Sequence, residues 1–419
     1  MRRAALALAL LSTLAGAPTV WAVCDGDVET ICPGNPCVID KIYTVDQYCT
    51  LDFSGKDVTI APAGALYWPM RQDGSDADLY ARSFTVQGTI EATNASLYFY
   101  TDDAFRVLGP GPARVFVATV GADDPAIFAG FNVETGGDVA LEGSIVAAPL
   151  VYVSSGGNID VGSRVLANTF LDEDAAIDLE AYGSVSTRKP LTVKGLPYPW
   201  ERGAGADAIV YMSTDEGDIE VDGSILVRSS FVPTDITLRS AHDVRFNGKA
   251  TMVGPTGTDW WPGDFNVYAD GNASITGSIT ARARSGPRVP HSGATLGVEV
   301  GGDISLSGKI DFSANGDPLA AEGGYLDLRG CAVRISGTIK TAGSVPRAAA
   351  DVEYRSTLDF TRTRWLTAGG TSLYVECPCI DTDGNGSCDG GCISPPTGLD
   401  PLRVEIPVQI QPVKTDPCS

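Results

Sequence analysis

Residues 300–310 read Val-Gly-Gly-Asp-Ile-Ser-Leu-Ser-Gly-Lys-Ile, an apolar/polar alternation held between two glycine-marked bends. Ile304 and Leu306 stand two apart, so they share one face of a strand while Ser305 and Ser307 point the other way. Gly302-Asp303 is turn chemistry, since glycine reaches positive φ freely and aspartate bonds nearby backbone. Gly308 predicts a second bend, after which Ile310 reopens the apolar pattern. The same pattern recurs position for position at 138–145, 218–225 and 272–279, and with one substitution each at 243–250 and 332–339. Asn158-Ile159-Asp160-Val161-Gly162 reads one residue short. Seven residues ahead of the turn a further alternating pair appears, as in Phe131/Val133, Val151/Val153, Ile236/Leu238, Phe265/Val267 and Leu296/Val298. Each unit therefore predicts strand, turn, strand, glycine corner, strand and variable loop. Earlier units are readable at 56–60 and 83–90, and then loosen into short runs at 97–100 and 114–117.

Gly223, Gly248, Gly277, Gly308 and Gly337 lie 25, 29, 31 and 29 residues apart. A period of that length with short strands predicts a solenoid whose coils stack. A β-sandwich or a string of small β domains is the rival, but it needs hairpins and variable strand order, whereas this turn and corner recur in fixed phase. The expectation is an all-β chain: a parallel β-helix with three short strands per coil and disulfide-rich caps at both ends. Ten to twelve coils at roughly 4.8 Å each give a rod on the order of 50–60 Å.

The Gly-Asp-Ile-x-Leu-x-Gly-x-Ile coils resemble those of right-handed parallel β-helix proteins, particularly filamentous-haemagglutinin-type adhesins, over about residues 51–345. That resemblance implies an elongated, non-enzymatic binding protein. The Asn-Pro-Asn signature of their secretion domain is missing, as is a long C-terminal barrel, so their secretion routes are not implied.

Arg2 and Arg3 precede an apolar run over 4–17, and Val20-Trp21-Ala22 fits a cleavage site, so residues 1–22 read as a signal peptide. No later stretch reaches the roughly 20 apolar residues of a membrane span. Removing the signal leaves 28 basic against 52 acidic residues, a net charge of −24. Such a surface argues against nucleic acid and anionic membranes as partners; it suits solvation or cation binding. The 10 cysteines all follow the signal and cluster at Cys24, Cys32, Cys37 and Cys49 and at Cys377, Cys379, Cys388, Cys392 and Cys418, with Cys331 between. An even count in an exported chain implies disulfides, the front four pairing among themselves and Cys331 with one of the rear five. The domain reading is a cap over 23–50, the solenoid over 51–345, last coils over 346–375 and a cysteine-rich cap over 376–419.

Asp381-Thr382-Asp383-Gly384-Asn385-Gly386-Ser387-Cys388-Asp389 places oxygen donors at alternate positions with glycine at the bend, the pattern of a Ca²⁺ loop. Asp381, Asp383 and Asn385 offer side chains, Ser387 its carbonyl, and Asp389 a carboxylate or a bridging water. It resembles the calcium loops of thrombospondin type-3 repeats and departs from an EF-hand in having Cys392 where the bidentate glutamate belongs. A metal-free acidic turn tied by disulfides is the competing reading. The turn acids Asp138, Asp218, Asp243 and Asp303 read as side chains bonding local backbone rather than as a cation ladder. Trp68, Trp200, Trp260 and Trp261 are candidates to stack on sugar faces, against the plainer reading of loop side chains packed over a coil.

Gly-x-Ser-x-Gly and His-Glu-x-x-His are both missing, and His242 and His291 fall in a turn and a loop. The function expected is thus a secreted, extracellular or cell-surface protein (periplasm being the other compartment) that binds polysaccharide, cell-surface glycan or extracellular matrix. The alternative is a polysaccharide lyase or glycoside hydrolase of pectate-lyase-like architecture, whose acids and arginines gather from different coils. A cleft holding several carboxylates and an arginine would favour that enzyme.

Overall fold

A computed structural model describes residues 21–24, 28–46, 49–69, 76–109, 113–118, 129–147, 150–168, 174–195, 207–229, 232–254, 262–283, 293–313, 323–341, 348–360, 363–366, 372–379 and 408–413, with 392, 394, 396, 397 and 418. One coil shows the rule. The strand Gly130–Thr135 lies on a first face, Asp138–Leu141 on a second and Ser144–Ala147 on a third. Phe131 then pairs in parallel with Val151, Val139 with Ile159 and Ile145 with Val165, a shift of 20 residues on all three faces. A chain that returns to the same three faces one rung higher is a parallel β-helix. The third face alone is one sheet of 14 strands, longer than the ten to twelve coils expected.

Alternation decides what lies inside. On the first face a single register column runs from Leu79 through Phe99, Val133, Val153, Leu179 and Met212 to Val375, and each of these is at most 1% exposed. The second face supplies Phe84, Phe105, Val139 and Ile159, and the third Ile90, Val115, Ile145 and Val165. Phe99 lies 5.0 Å from Phe105 and 5.8 Å from Phe131, so packed aromatic rings fill the interior toward the front.

Glycine does a different job from the one its turn chemistry suggests. Only Gly55 and Gly263 have positive φ among the described glycines. The corner glycines are required for clearance: a Cβ on Gly277 would fall 2.0 Å from the carbonyl oxygen of Gly248 one rung below, and Gly308 and Gly337 repeat the clash. The short coil at Asn158 is no slip. Ile145 pairs with Val165, so Ser163 occupies the corner in place of glycine and donates its hydroxyl to the Gly143 carbonyl. The next corner is Lys189, whose carbonyl would meet a Cβ on Gly223. Phase is kept; only the residue type changes.

Turn side chains link coil to coil rather than bonding their own backbone. Asp138 Oδ1 accepts the Asn158 N–H at 2.8 Å, Asn158 Oδ1 the Ser184 N–H at 2.8 Å, and Ser184 Oγ the Asp218 N–H at 3.1 Å. The staircase continues through Asp243, Asn272 and Asp303 and ends at the N–H of Ala332, whose side chain has no acceptor. The backbone hydrogen bond from Asn272 is the main reason that Asp243 titrates below the usual carboxylate range.

The ends differ from the middle. Leu51–Ile60, Asp76–Val86, Tyr325–Ile335 and Ala348–Asp359 each run through the first two faces as one bent strand. In three of these the register shifts at the bend, between Phe53 and Asp57, Ala81 and Ser83, and Gly330 and Ala332. Gly55 and Gly330 lie at two of these bends, but no Gly-Asp or Gly-Asn turn marks them, so the sequence pattern loosens there. A short helix, Val28–Ile31, buries Val28 and Ile31 at the front, where Cys24–Cys49 and Cys32–Cys37 close the cap. At the rear Cys331 pairs with Cys418 and Cys377 with Cys392, as the partition of cysteines predicted. Both end segments also supply rungs: Cys37–Ile39 pairs with 58–60, and Val408–Val413 with Ser372–Pro378.

Gly277→Ala should destabilise the chain by about 1–3 kcal/mol in equilibrium unfolding, the cost of an overpacked site whose neighbour is backbone. Gly162→Ala should stay within about 0.5 kcal/mol of wild type, because its added Cβ meets only the Arg188 side chain at 3.3 Å and Glu142 beyond it. Equal losses in the two variants would contradict the clearance argument.

Candidate functional site

Because inward positions are filled by apolar side chains and a few buried hydroxyls such as Thr135, Ser155, Thr187, Thr214 and Ser240, function falls to the outward positions of the longest strands. On the first face one outward column reads Ser154, Glu180, Ser213, Arg239, Tyr268, Glu299, Arg329 and Glu353 on eight consecutive rungs. At roughly 4.8 Å per rung it extends about 34 Å. These residues line a groove of about 1250 Å³, walled on the turn side by Tyr182, Asp215 and Asp270 and joined by Tyr211 and Arg355. A parallel outward column carries Asp78, Tyr98, Tyr152, Asp178 and Tyr211. Tyr80 and Tyr100 stack beyond the groove's front end, with centroids 5.0 Å apart and planes at 16°.

Stacking in register also puts like charges beside one another. Burial, and then Asp327 on the rung below, raises the Asp351 pKa; burial, and then Asp351, raises that of Glu376. Arg329 relieves part of this crowding: its Nε and Nη2 lie 3.1 and 3.2 Å from the two oxygens of Asp327. Arg239 and Arg355 make no ion pair among the described residues, so their guanidinium groups stay available to a ligand.

Asp178 is the most perturbed carboxyl of the face. Burial, with Glu180 as the second cause, pushes it up to about 7, and its Oδ1 is buried without a hydrogen-bond partner. Glu180 accepts the Tyr152 hydroxyl at 3.1 Å.

The sequence-predicted sites fare differently. Trp68 is 3% exposed and belongs to the core of the third face, so it offers no sugar platform. Burying it satisfied the alternation on that strand, a constraint that a list of aromatic residues does not register. Trp200, Trp260 and Trp261, and the calcium-loop residues Asp381, Asp383, Asn385, Ser387 and Asp389, lie outside the described residues. Among the described residues no group of three or more His, Cys, Asp or Glu is placed to hold a metal. The groove tyrosines were overlooked, although the outward phase of the first strand marks them. Comparison with known protein families, curated proteins and solved structures returns no match.

Asp178 also gives a pH signature. A folded carboxyl that keeps its proton to about pH 7, against 3.8 in the unfolded chain, loses stability as pH rises between those values. Asp178→Asn should therefore raise the melting temperature at pH 8 and leave it unchanged near pH 3.5 when followed by calorimetry. Parallel curves for the two proteins would contradict the assignment.

Proposed function

We propose that this chain is an exported or cell-surface β-helix that binds a polysaccharide lying lengthwise in the first-face groove. The observation that carries the reading is the eight-rung column of three glutamates, two arginines, two serines and Tyr268, one per rung, with Tyr182 and Tyr211 beside it. Flat rings stack on the apolar faces of sugars, while carboxylates and guanidinium groups bond their hydroxyls. One rung is also close to the advance of one sugar in an extended chain. The disulfides belong to an oxidising compartment, and no helix among the described residues is long and apolar enough to cross a membrane. An adhesin-like role toward cell-surface or matrix glycans accords with both. The hydrolase reading draws on the same groove, where Glu180, Glu299 and Glu353 stand with Arg239, Arg329 and Arg355.

A glycan array followed by titration calorimetry tests the binding. Tyr211→Ala and Tyr268→Ala should each weaken binding about tenfold, the equivalent of ~1.4 kcal/mol for one lost stacking contact. Phe116→Ala on the third face, where the ring is 36% exposed, should leave it unchanged. Equal losses in all three variants, or no retained glycan, would end the proposal.

The rear cap is proposed to take Ca²⁺ through Asp381, Asp383, Asn385, Ser387 and Asp389. Millimolar calcium should then protect the cap from limited proteolysis in wild type but not in Asp383→Ala. Unchanged cleavage of wild type would make the loop an acidic turn.

A further inference from the structure

We propose that Tyr80 and Tyr100 form a site of oxidative phenol coupling, at which a one-electron oxidant working with hydrogen peroxide joins the two rings into a dityrosine cross-link between consecutive rungs. The pair lies beyond the front end of the groove, so the inference stands apart from what the groove binds. Tyr80 stands on Asp76–Val86 and Tyr100 on Ser96–Val107, and the two are register partners on the outward side of the first face. Parallel stacking sets such partners one rung apart, roughly 4.8 Å. The ring centroids accordingly lie 5.0 Å apart with their planes at 16°. Ring contacts of the core, such as Phe246 with Phe265 at 5.2 Å, join phenylalanines, which carry no phenol to oxidise.

Geometry and access both suit the reaction. In a phenoxyl radical the unpaired electron is shared between the oxygen and the ring carbons ortho and para to it, and in tyrosine the para carbon carries the side chain. The lobes on the ortho carbons point out of the ring plane, so two stacked rings aim them at one another. Tyr80 is 36% exposed and Tyr100 is partly exposed, which lets an oxidant reach the stack. Among the described residues the cysteines are held in disulfides and Met212 and Met252 are fully buried, so none of them diverts the radical. Asp52 on the rung before and Glu134 on the rung after flank the pair in the same column. In a chain of net charge −22 those acids hold the same patch of a second copy away, which directs coupling within one molecule. The link closes the loop between residues 80 and 100, as disulfides close the two ends.

The step balances with one hydrogen peroxide. Acting through the one-electron oxidant, the peroxide takes one electron and one proton from each hydroxyl, giving two phenoxyl radicals and two waters. The unpaired electrons then combine into one bond between an ortho carbon of each ring. Each of those carbons releases its hydrogen as a proton, and each phenolic oxygen takes one up, which restores two phenols joined by a carbon–carbon bond. The protein is oxidised by the loss of two hydrogens, and the peroxide is reduced to water.

The test treats the full-length protein with hydrogen peroxide and a haem peroxidase and, in parallel, with a small photochemical one-electron oxidant, so that access of a bulky enzyme does not decide the outcome. Products are read by intact mass, by peptide mapping and by the blue fluorescence of dityrosine. The expected result is a fluorescent monomer lighter by two hydrogens, in which the peptides holding Tyr80 and Tyr100 are joined. Tyr80→Phe and Tyr100→Phe should each abolish that link while the circular dichroism spectrum stays unchanged. Tyr374→Phe, which removes a phenol 40% exposed on a rear rung, should leave its yield as in wild type. A monomer that keeps both hydrogens under either oxidant overturns the site. So do links that join other tyrosines, coupling found only between molecules, or an equal loss of yield in Tyr374→Phe.

Discussion

Parallel in-register stacking of backbone on backbone is the constraint from which the rest of this molecule follows. Each rung must approach the one below closely enough to complete its ladder hydrogen bonds, and from Gly223 to Gly337 that distance leaves no room for a side chain at the corner, which Ser163 and Lys189 occupy on the two preceding rungs. The carbonyl of one corner glycine therefore lies where the next would place a Cβ, at Gly248, Gly277, Gly308 and Gly337 in turn. At the other bend the close approach is used differently. There Asp138, Asn158, Ser184, Asp218, Asp243, Asn272 and Asp303 each accept an N–H from the following rung. Those N–H groups lie at turns, where the sheet ladder offers no partner, and a buried or crowded donor left unmet costs about 1–3 kcal/mol.

The same register settles the interior. A column of Leu, Val, Ile, Phe and Met survives many changes of residue because each side chain needs only to be apolar and to fill its level. Thr187 shows the tolerance: it stands between Val161 and Val221, 1% exposed, with its Oγ1 unpartnered. The ends cannot rely on neighbours on both sides, and there covalent closure takes over. Cys24–Cys49 and Cys32–Cys37 fix the front, and Cys331–Cys418 ties the end of the chain to the turn where the hydrogen-bonded staircase stops.

This division explains what could be read without coordinates. Strand alternation, corner spacing and the grouping of the cysteines are local or compositional, so Ile304, Leu306 and Gly308 announce their places within eleven residues of sequence. The reason for the glycines was not legible, because a clash between Gly277 and the carbonyl of Gly248 involves positions 29 apart. The coil at Ser163 looked short only because a glycine was taken as the marker of phase, when the marker is the distance from Val161 to Val165. The groove was hidden for the same cause. Glu180, Arg239, Tyr268 and Arg329 become neighbours only once every intervening loop length has been absorbed by the register.

The composition of that column argues for a particular kind of ligand. A surface fitted to a crystalline or repeating lattice would repeat its own side chains from rung to rung, as the corner glycines do. Ser154, Glu180, Ser213, Arg239, Tyr268, Glu299, Arg329 and Glu353 show no such repeat, although stacking would have permitted one at no cost to the core. Like charges on adjacent rungs raise each other's pKa, as Asp327 does for Asp351, so a uniform acidic column would carry a penalty that interleaved arginine and tyrosine avoid. The column changes its group from each rung to the next, so a ligand that lies along it meets a direction and a register.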